Sequence, residues 1–453
     1  MNFEQHLLRE TTRRQFFANS GVSLGSLGLT SLLSDENLFA APETSASLAL
    51  SDAARGTNPM APRGGHFPAK AKQVIFLFMA GGPSQLELFS PKPKLVEMDG
   101  QVIPESFVAG KRFAFIKKDA KLPDTVSRLR MLLAVLAMSA TLTVGLCVLD
   151  YMEVLDIELI THISETGGFD ETNERTKYTR MRGTGIFQDP NDLCLIIVFS
   201  WVVCTYFLLD EKLKGTRFTL LIPMAILATG LLCTKSRGGL MAAGLGFLIL
   251  VVCKYGKQAA VLAGIAGLCV LPLIAGRQAN IDLGEGGTGH ERITLWREGL
   301  AALRSPAIVF GVGQGTYEDY AGLVAHNSFI HAFVELGMIG GTLFLGCFFF
   351  PALSLWRLRY ERHNLTHPEL QRLYPIIVAM LAGWTMSLQS LSRVYVVSTY
   401  LMLGVQVAYA NLVTIHLEPR RLVTSWDRSH LIRLAVCSVL VFGFFNVFVV
   451  VFA

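Results

Sequence analysis

Charge is scarce in this chain. Only 17% of its 453 residues are Asp, Glu, Lys or Arg, against about 25% in a soluble globular protein. Hydrophobic residues make up 51% of the sequence and the mean hydropathy is +0.44. Together these exclude an ordinary soluble protein of this length and imply a chain that crosses a membrane many times. Cysteine chemistry is missing as well. Cys147, Cys194, Cys204, Cys233, Cys253, Cys269, Cys347 and Cys437 lie in or beside apolar runs, with no CxxC and no zinc spacing. They read as small lipid- or helix-facing side chains. No carboxylate cluster suits a divalent metal, since Asp189 and Asp192 have no third or fourth ligand nearby. No metal and no cofactor is expected. The 41 glycines follow no period, which excludes a collagen-like chain. The apolar content excludes a disordered one. The net charge of +5 is mild, and no nucleic-acid partner is expected.

What is present divides near Pro123. Residues 1–122 are polar and punctuated by Gly and Pro, and they contain no spanning segment. Beyond them come about nine apolar runs near the length of a bilayer crossing, at 131–149, 193–209, 218–234, 238–253, 259–276, 329–356, 373–390, 394–412 and 432–452. The fold expected is an all-α polytopic membrane protein with a partly disordered N-terminal α/β fragment. Its divisions are 1–41, 42–122 and 123–453. Basic residues set the orientation. Lys117, Lys118, Lys121, Arg128 and Arg130 precede the first run. Lys212, Lys214, Arg217, Lys254, Lys257, Arg357, Arg359, Arg362, Arg372, Arg420, Arg421, Arg428 and Arg433 fill the even-numbered turns. With nine alternating spans all of these fall on one side, expected to be the cytoplasm. The loops 150–192 and 277–328 then lie outside.

Thr12-Arg13-Arg14-Gln15-Phe16-Phe17 is a twin-arginine export pattern, followed by a Gly/Leu/Ser run from Gly21 to Leu33 and a cleavage region at Ala40-Ala41. Lys72 to Met79 reads as a buried strand, and Ala80-Gly81-Gly82-Pro83-Ser84 turns the chain at its end. From Thr12 to Lys118, including Gly81 to Phe89 and Pro91-Lys92-Pro93, the sequence resembles the opening quarter of twin-arginine-exported, sulfatase-like proteins of unknown function. Most of the strands that carry metal ligands in that fold are absent, so no hydrolase activity is expected here. A cleaved export signal would put residues 42–122 outside, whereas the charge pattern puts 117–130 inside. A fusion is the simplest account.

In a membrane chain, charges at helix ends are the first functional candidates. Arg182, Arg237, Arg277, Arg292, Arg297, Arg304, His326, His331 and Arg393 gather on the outer side. Arg237, in Thr234-Lys235-Ser236-Arg237-Gly238-Gly239, sits between two spans joined almost without a loop. It either snorkels to headgroups or binds an anion at the surface. Arg182 to Asp192 ends the first long loop, and Asn191 or Asp192 suits a helix N-cap. His290 to Leu300 reads as an amphipathic outer helix, with Trp296 an interfacial anchor and Arg292 and Arg297 off one stripe. Gly311-Val312-Gly313-Gln314-Gly315-Thr316 is a flexible turn and only weak evidence for phosphate binding. His326 precedes a long span that Asn327 or Ser328 can cap. The helix N-terminus beside it favours an anion. The imidazole is either a structural headgroup-level residue or a proton acceptor.

From about 125 to 453 these segments resemble the O-antigen ligase/polymerase family of bacterial envelope glycosyltransferases. The resemblance is carried by Arg182 to Asp192, Thr234 to Gly238, Arg292 to Leu300, Gly311 to Tyr317 and His326-Asn327-Ser328 through Glu335 to Gly340. It implies about twelve spans, of which the foreign N-terminus has replaced roughly the first three. It also implies a metal-independent, inverting transfer of a glycan from undecaprenyl diphosphate at the periplasmic face of the inner membrane. The acceptor is lipid A–core in ligases and another glycan in polymerases, so the resemblance places the chain in lipopolysaccharide or polysaccharide biosynthesis. His326 is the implied catalytic base. Arg237, and after it Arg182, Arg292, Arg297 and Arg393, are the implied diphosphate-binding residues. Other readings stay open on motifs alone: a protein O-glycosylating relative, an inactive truncated fusion, or a small-anion transporter. A transporter would need charges near mid-bilayer, and apart from Glu335 these lie at one face.

Overall fold

Apolar stretches lying in lipid must satisfy every backbone group internally, and helices do so. The computed structural model describes residues 125–169, 175–274, 288–304, 306–425 and 427–452, with Gln101 and Ser106 besides. The twin-arginine segment, the expected strand at Lys72 to Met79 and Arg277 lie outside the described residues. The helices in chain order are α1 (Thr125–Tyr151), α2 (Pro190–Leu208), α3 (Leu221–Cys233), α4 (Arg237–Tyr255), α5 (Lys257–Ile274), α6 (Thr288–Ala301), α7 (Ala307–Phe310), α8 (Tyr317–Ala321), α9 (Ser328–Glu361), α10 (Pro368–Ser387), α11 (Val397–His416) and α12 (Arg428–Phe452). A 3-10 stretch, Glu211–Leu220, leads into α3.

Eight of these are long and apolar enough to cross a membrane: α1, α2, α3 with its 3-10 lead, α4, α9, α10, α11 and α12. The apolar part of α5 is shorter, Lys257–Cys269. Connectivity nevertheless makes α5 a crossing. Gly238, at the start of α4, has no room for a Cβ against Ser390. Ser328, at the start of α9, donates to Leu391 O at 2.6 Å. These two helix starts therefore share one end of the bundle, while α4 ends at the other, at Tyr255. Trp296 of α6 donates to Ala325 O at 2.6 Å, so α6 is again at the first end. Among the described residues, α5 is the helix that returns the chain.

The basic turns gather at the far end, as their sequence spacing predicts. Arg362 donates to Cys253 O at 3.3 Å, Arg372 lies 3.1 Å from Asp210, and Lys212 lies 3.7 Å from Glu369. Arg130 of α1 joins this cluster through Asp210, and stands 3.7 Å from Glu369. α2 and α10 are the innermost spans, and α3 and α12 the most exposed. Gly246 of α4 faces Gly383 of α10, where small residues let two backbones approach. Leu268, Leu440 and Val450 are 72%, 67% and 83% exposed, a cost in water that disappears against lipid.

Two features were not legible in the sequence. The first long loop contains a hairpin, β1 (Ile163–Phe169) antiparallel to β2 (Arg175–Arg180), with Ile163 opposite Arg180. And α9 is not one rod, because Gly337 breaks it at φ 66° and ψ −170°. That dihedral pair is open to glycine and strained for other residues.

Candidate functional site

Three helix N-termini meet at the end of the bundle where α4 and α9 begin. α2 is capped by Asp189, whose carboxylate accepts from Asn191 N at 2.7 Å, with Pro190 following. The cap is therefore Asp189 rather than Asn191 or Asp192. Pro lacks an N–H that the first turn would leave unused, so it fits the first helical position. α4 is capped by Ser236, whose Oγ accepts from Gly239 N at 3.0 Å. α9 is capped by Asn327, whose Oδ1 accepts from Phe329 N at 3.0 Å and Ile330 N at 3.1 Å.

α4 and α9 are entered in the same way. Lys235 and His326 each precede the cap residue, and each has a left-handed backbone, φ 51° and φ 48°. The residue before the cap thus turns the chain sharply into the helix. Arg237 comes directly after one cap, and His326 directly before the other.

Side chains bind the three starts together. Ser236 donates to Asn191 Oδ1 at 2.5 Å, linking α4 to α2. Asn327 Nδ2 donates to Gln389 Oε1 at 2.9 Å, beside the Ser390 that Gly238 abuts. Arg393 N donates to Ser328 Oγ at 2.9 Å, while its guanidinium grips the Asp192 carboxylate with Nε and Nη2. Asp192 is buried. Such a pair is costly to break, about 3–5 kcal/mol when one partner is removed.

The six candidate residues fall into different surroundings. His326 is half-buried, and no hydrogen bond to its ring is found among the described residues. Burial pushes its imidazole below the ordinary value, the Arg292 and Arg393 charges act in the same direction, and Asp189 opposes them. These charges therefore surround His326. Arg237 is half-buried, and no ion pair holds it among the described residues. The fork of Arg393 is already occupied by Asp192. Arg182 bonds Thr161 through Nε and Nη2. Arg292 lies on α6 near His326, whereas Arg297 is exposed on that helix.

The glycine-rich turn is used differently from its sequence expectation. Val312 N donates to Val334 O and Gly313 N to Glu335 O, each at 3.0 Å. The break at Gly337 releases these α9 carbonyls, and the turn captures them. Tyr317 N then donates to Glu335 Oε1 at 3.1 Å, and Tyr395 OH to Oε2 at 2.7 Å. His331 Nε2 stands 3.1 Å from Oε1 but outside hydrogen-bond geometry, so the two side chains are close without an aligned bond. The turn thus cradles a carboxylate of its own chain rather than a phosphate. Glu335 is 1% exposed and joins α9 to α8 and to the turn carrying Arg393. Its signal in the sequence was an ionisable residue inside an apolar run, but its partners lie 18 and 60 residues away.

Glu335→Ala is expected to leave Tyr317 N and the Tyr395 hydroxyl without partners. The loss of stability should be about 1–3 kcal/mol, read as a lower midpoint in thermal unfolding of the detergent-solubilised chain. An unchanged midpoint would mean that the carboxylate does not hold the loop.

Residues 222–345 match the family model for O-antigen ligase. The O-antigen ligase match begins within α3 and ends within α9. It contains Arg237, Arg292, Arg297 and His326; Arg182 and Arg393 lie outside it. It supports a membrane glycosyltransferase activity of the ligase/polymerase type in a multi-pass membrane protein. Residues 71–161 match a family of proteins of unknown function (DUF1501). Two unrelated families in one chain agree with the fusion read from the sequence. The second match runs through the whole of α1 to residue 161, although Arg130 of α1 is bonded to Asp210 among the membrane helices. No curated protein matches the chain.

Proposed function

We propose that this chain transfers a glycan from undecaprenyl diphosphate to an acceptor hydroxyl, lipid A–core in a ligase, at the periplasmic face of the inner membrane. The observation that carries the reading is the placement of Arg237 and His326 beside two helix N-termini at one end of the bundle. Helix N-termini and arginines both attract phosphate oxygens. The diphosphate is anionic before transfer and more so as it leaves. Arg237 forks onto it, and Arg292 adds positive charge beside His326. In the reaction the acceptor oxygen attacks the anomeric carbon opposite the diphosphate. The carbon–oxygen bond to phosphate breaks, the configuration inverts, and undecaprenyl diphosphate departs. The neutral His326 imidazole takes the acceptor's proton. Arg393 serves the site through Asp192 and Ser328, holding the start of α9 in place. The basic turns at the far end fit the cytoplasmic side, which leaves His326 facing the periplasm.

Deletion of the gene tests this. Surface glycan should be lost from the envelope and return when the full chain is supplied again. An unchanged glycan profile in the deletion strain would overturn the proposal.

A further inference from the structure

At the end of the bundle opposite His326, a cavity of about 330 Å³ lies between α9 and the segment leading to α12. It is lined by Arg357, Tyr360, Glu361, Arg421, Leu422 and Val423. Arg357 is fixed in its wall. Nη1 donates to Val423 O at 3.3 Å, and Nη2 meets His430 Nε2 at 2.5 Å. His430 Nδ1 lies 2.8 Å from Asp427 Oδ2 and 3.1 Å from Ser425 O. The ring proton therefore sits on Nδ1, and Nε2 accepts from the guanidinium. Across the cavity Arg421 lies 2.8 Å from Glu361. The lining thus holds two guanidiniums and one carboxylate, a net positive charge with an apolar side at Leu422 and Val423.

The depth of the cavity is set by α9. Arg357 follows the break at Gly337 by about 30 Å of helix, which is the thickness of the hydrocarbon layer. Trp356 and Tyr360 are 59% and 60% exposed there. Arg359 lies over both rings, 4.8 Å from each centroid. Exposed Trp and Tyr with arginine mark the headgroup level. The two segments meeting here, 356–362 and 418–433, carry seven arginines against three carboxylates.

We propose that this cavity binds the phosphate-bearing headgroup of an anionic phospholipid. Arg357 and Arg421 take the phosphodiester oxygens, because planar guanidiniums match that geometry. Glu361 lets go of Arg421 as the phosphate replaces it. Leu422 and Val423 face the glycerol and the first methylenes. Free phosphate offers the same oxygens without the apolar part, so the two sources can be separated by experiment.

The purified full chain is titrated in detergent with phosphatidylglycerol, phosphatidylcholine or inorganic phosphate, and bound ligand is counted by native mass spectrometry. Phosphatidylglycerol should be retained and phosphatidylcholine should not. Arg421 is exposed and its ion pair is with Glu361, the contact that the phosphate replaces, so Arg421→Gln carries the test; Arg357 also holds His430. One interfacial arginine contributes about fivefold in binding, so Arg421→Gln should weaken phosphatidylglycerol retention by about that factor. Arg357→Gln/Arg421→Gln should weaken it by about 30-fold, with the unfolding midpoint checked alongside. Equal retention of both lipids, or unchanged retention in Arg421→Gln, would overturn the proposal. So would displacement of the lipid by inorganic phosphate at equal concentration, which would make this a soluble-anion site.

Discussion

Transfer by the His326→Ala chain should fall by about 10²–10⁴, the usual contribution of a positioned general base, while the lipid-linked donor still binds. The base acts on the acceptor, so donor affinity is the readout that separates it from a phosphate ligand. His326 has a left-handed backbone at φ 48°, which alanine adopts less readily than asparagine. His326→Asn keeps that backbone and removes the base, so it should lose transfer with less disturbance of the fold. Near-parental transfer by His326→Asn would remove His326 from the mechanism. The pH profile is a further check. Only the neutral ring accepts a proton, and burial with the Arg292 charge lowers its pKa. Activity should therefore persist below pH 6.5, the ordinary imidazole pKa, and fall only at lower pH. Removing a positive neighbour raises the pKa, so Arg292→Gln should move that acid limb upward. His331 is a turn further along, turned inward against Glu335, and His331→Gln should leave the limb where it is.

Arg237→Ala should lose transfer by about 10²–10³, the cost of removing one charge-stabilising donor, and donor binding should weaken with it. Arg237→Lys should remain strongly impaired. An ammonium keeps the charge but cannot fork onto two phosphate oxygens. The side chain has no ion pair among the described residues, so its removal should leave the unfolding midpoint almost unchanged, within about 0.5 kcal/mol. That contrast distinguishes a ligand-binding arginine from a structural one such as Arg393, which holds Asp192. Parental turnover in Arg237→Lys would favour a side chain that merely snorkels to the headgroups.

The spans, their one-sided basic turns and the ends carrying Arg237 and His326 were legible because each depends on local pattern. Apolar length, Lys and Arg sorting, and cap residues before an apolar run are read within a few positions. The contacts that turn those ends into one site were not. The grip of Arg393 on Asp192 joins residues 201 apart, and Asn327 reaches Gln389 across 62. Nothing in either segment names the other. The glycine turn, read as flexible and as weak evidence for phosphate, hid its role for a related reason. Its spacing permits a phosphate cradle, but the α9 carbonyls it meets exist only because Gly337 breaks a helix further on. The bonds of Arg182, an expected diphosphate ligand, to a threonine 21 residues earlier were likewise not legible.

The break at Gly337 also bears on membranes of different thickness. A straight α9 of 34 residues would extend about 51 Å, well beyond a hydrocarbon layer of about 30 Å. Instead the crossing falls to the rod from Met338 to Glu361, about 36 Å long, and a short stub carries His331 and Glu335. Hydrophobic mismatch is taken up by tilt of a spanning helix. The stub is tied to the glycine turn and to Tyr395, and it meets the rod where Phe333 packs on Gly341. A thicker or thinner bilayer would therefore tilt the rod, and the non-helical backbone at Gly337 together with the Phe333–Gly341 contact sets how much of that tilt reaches His326.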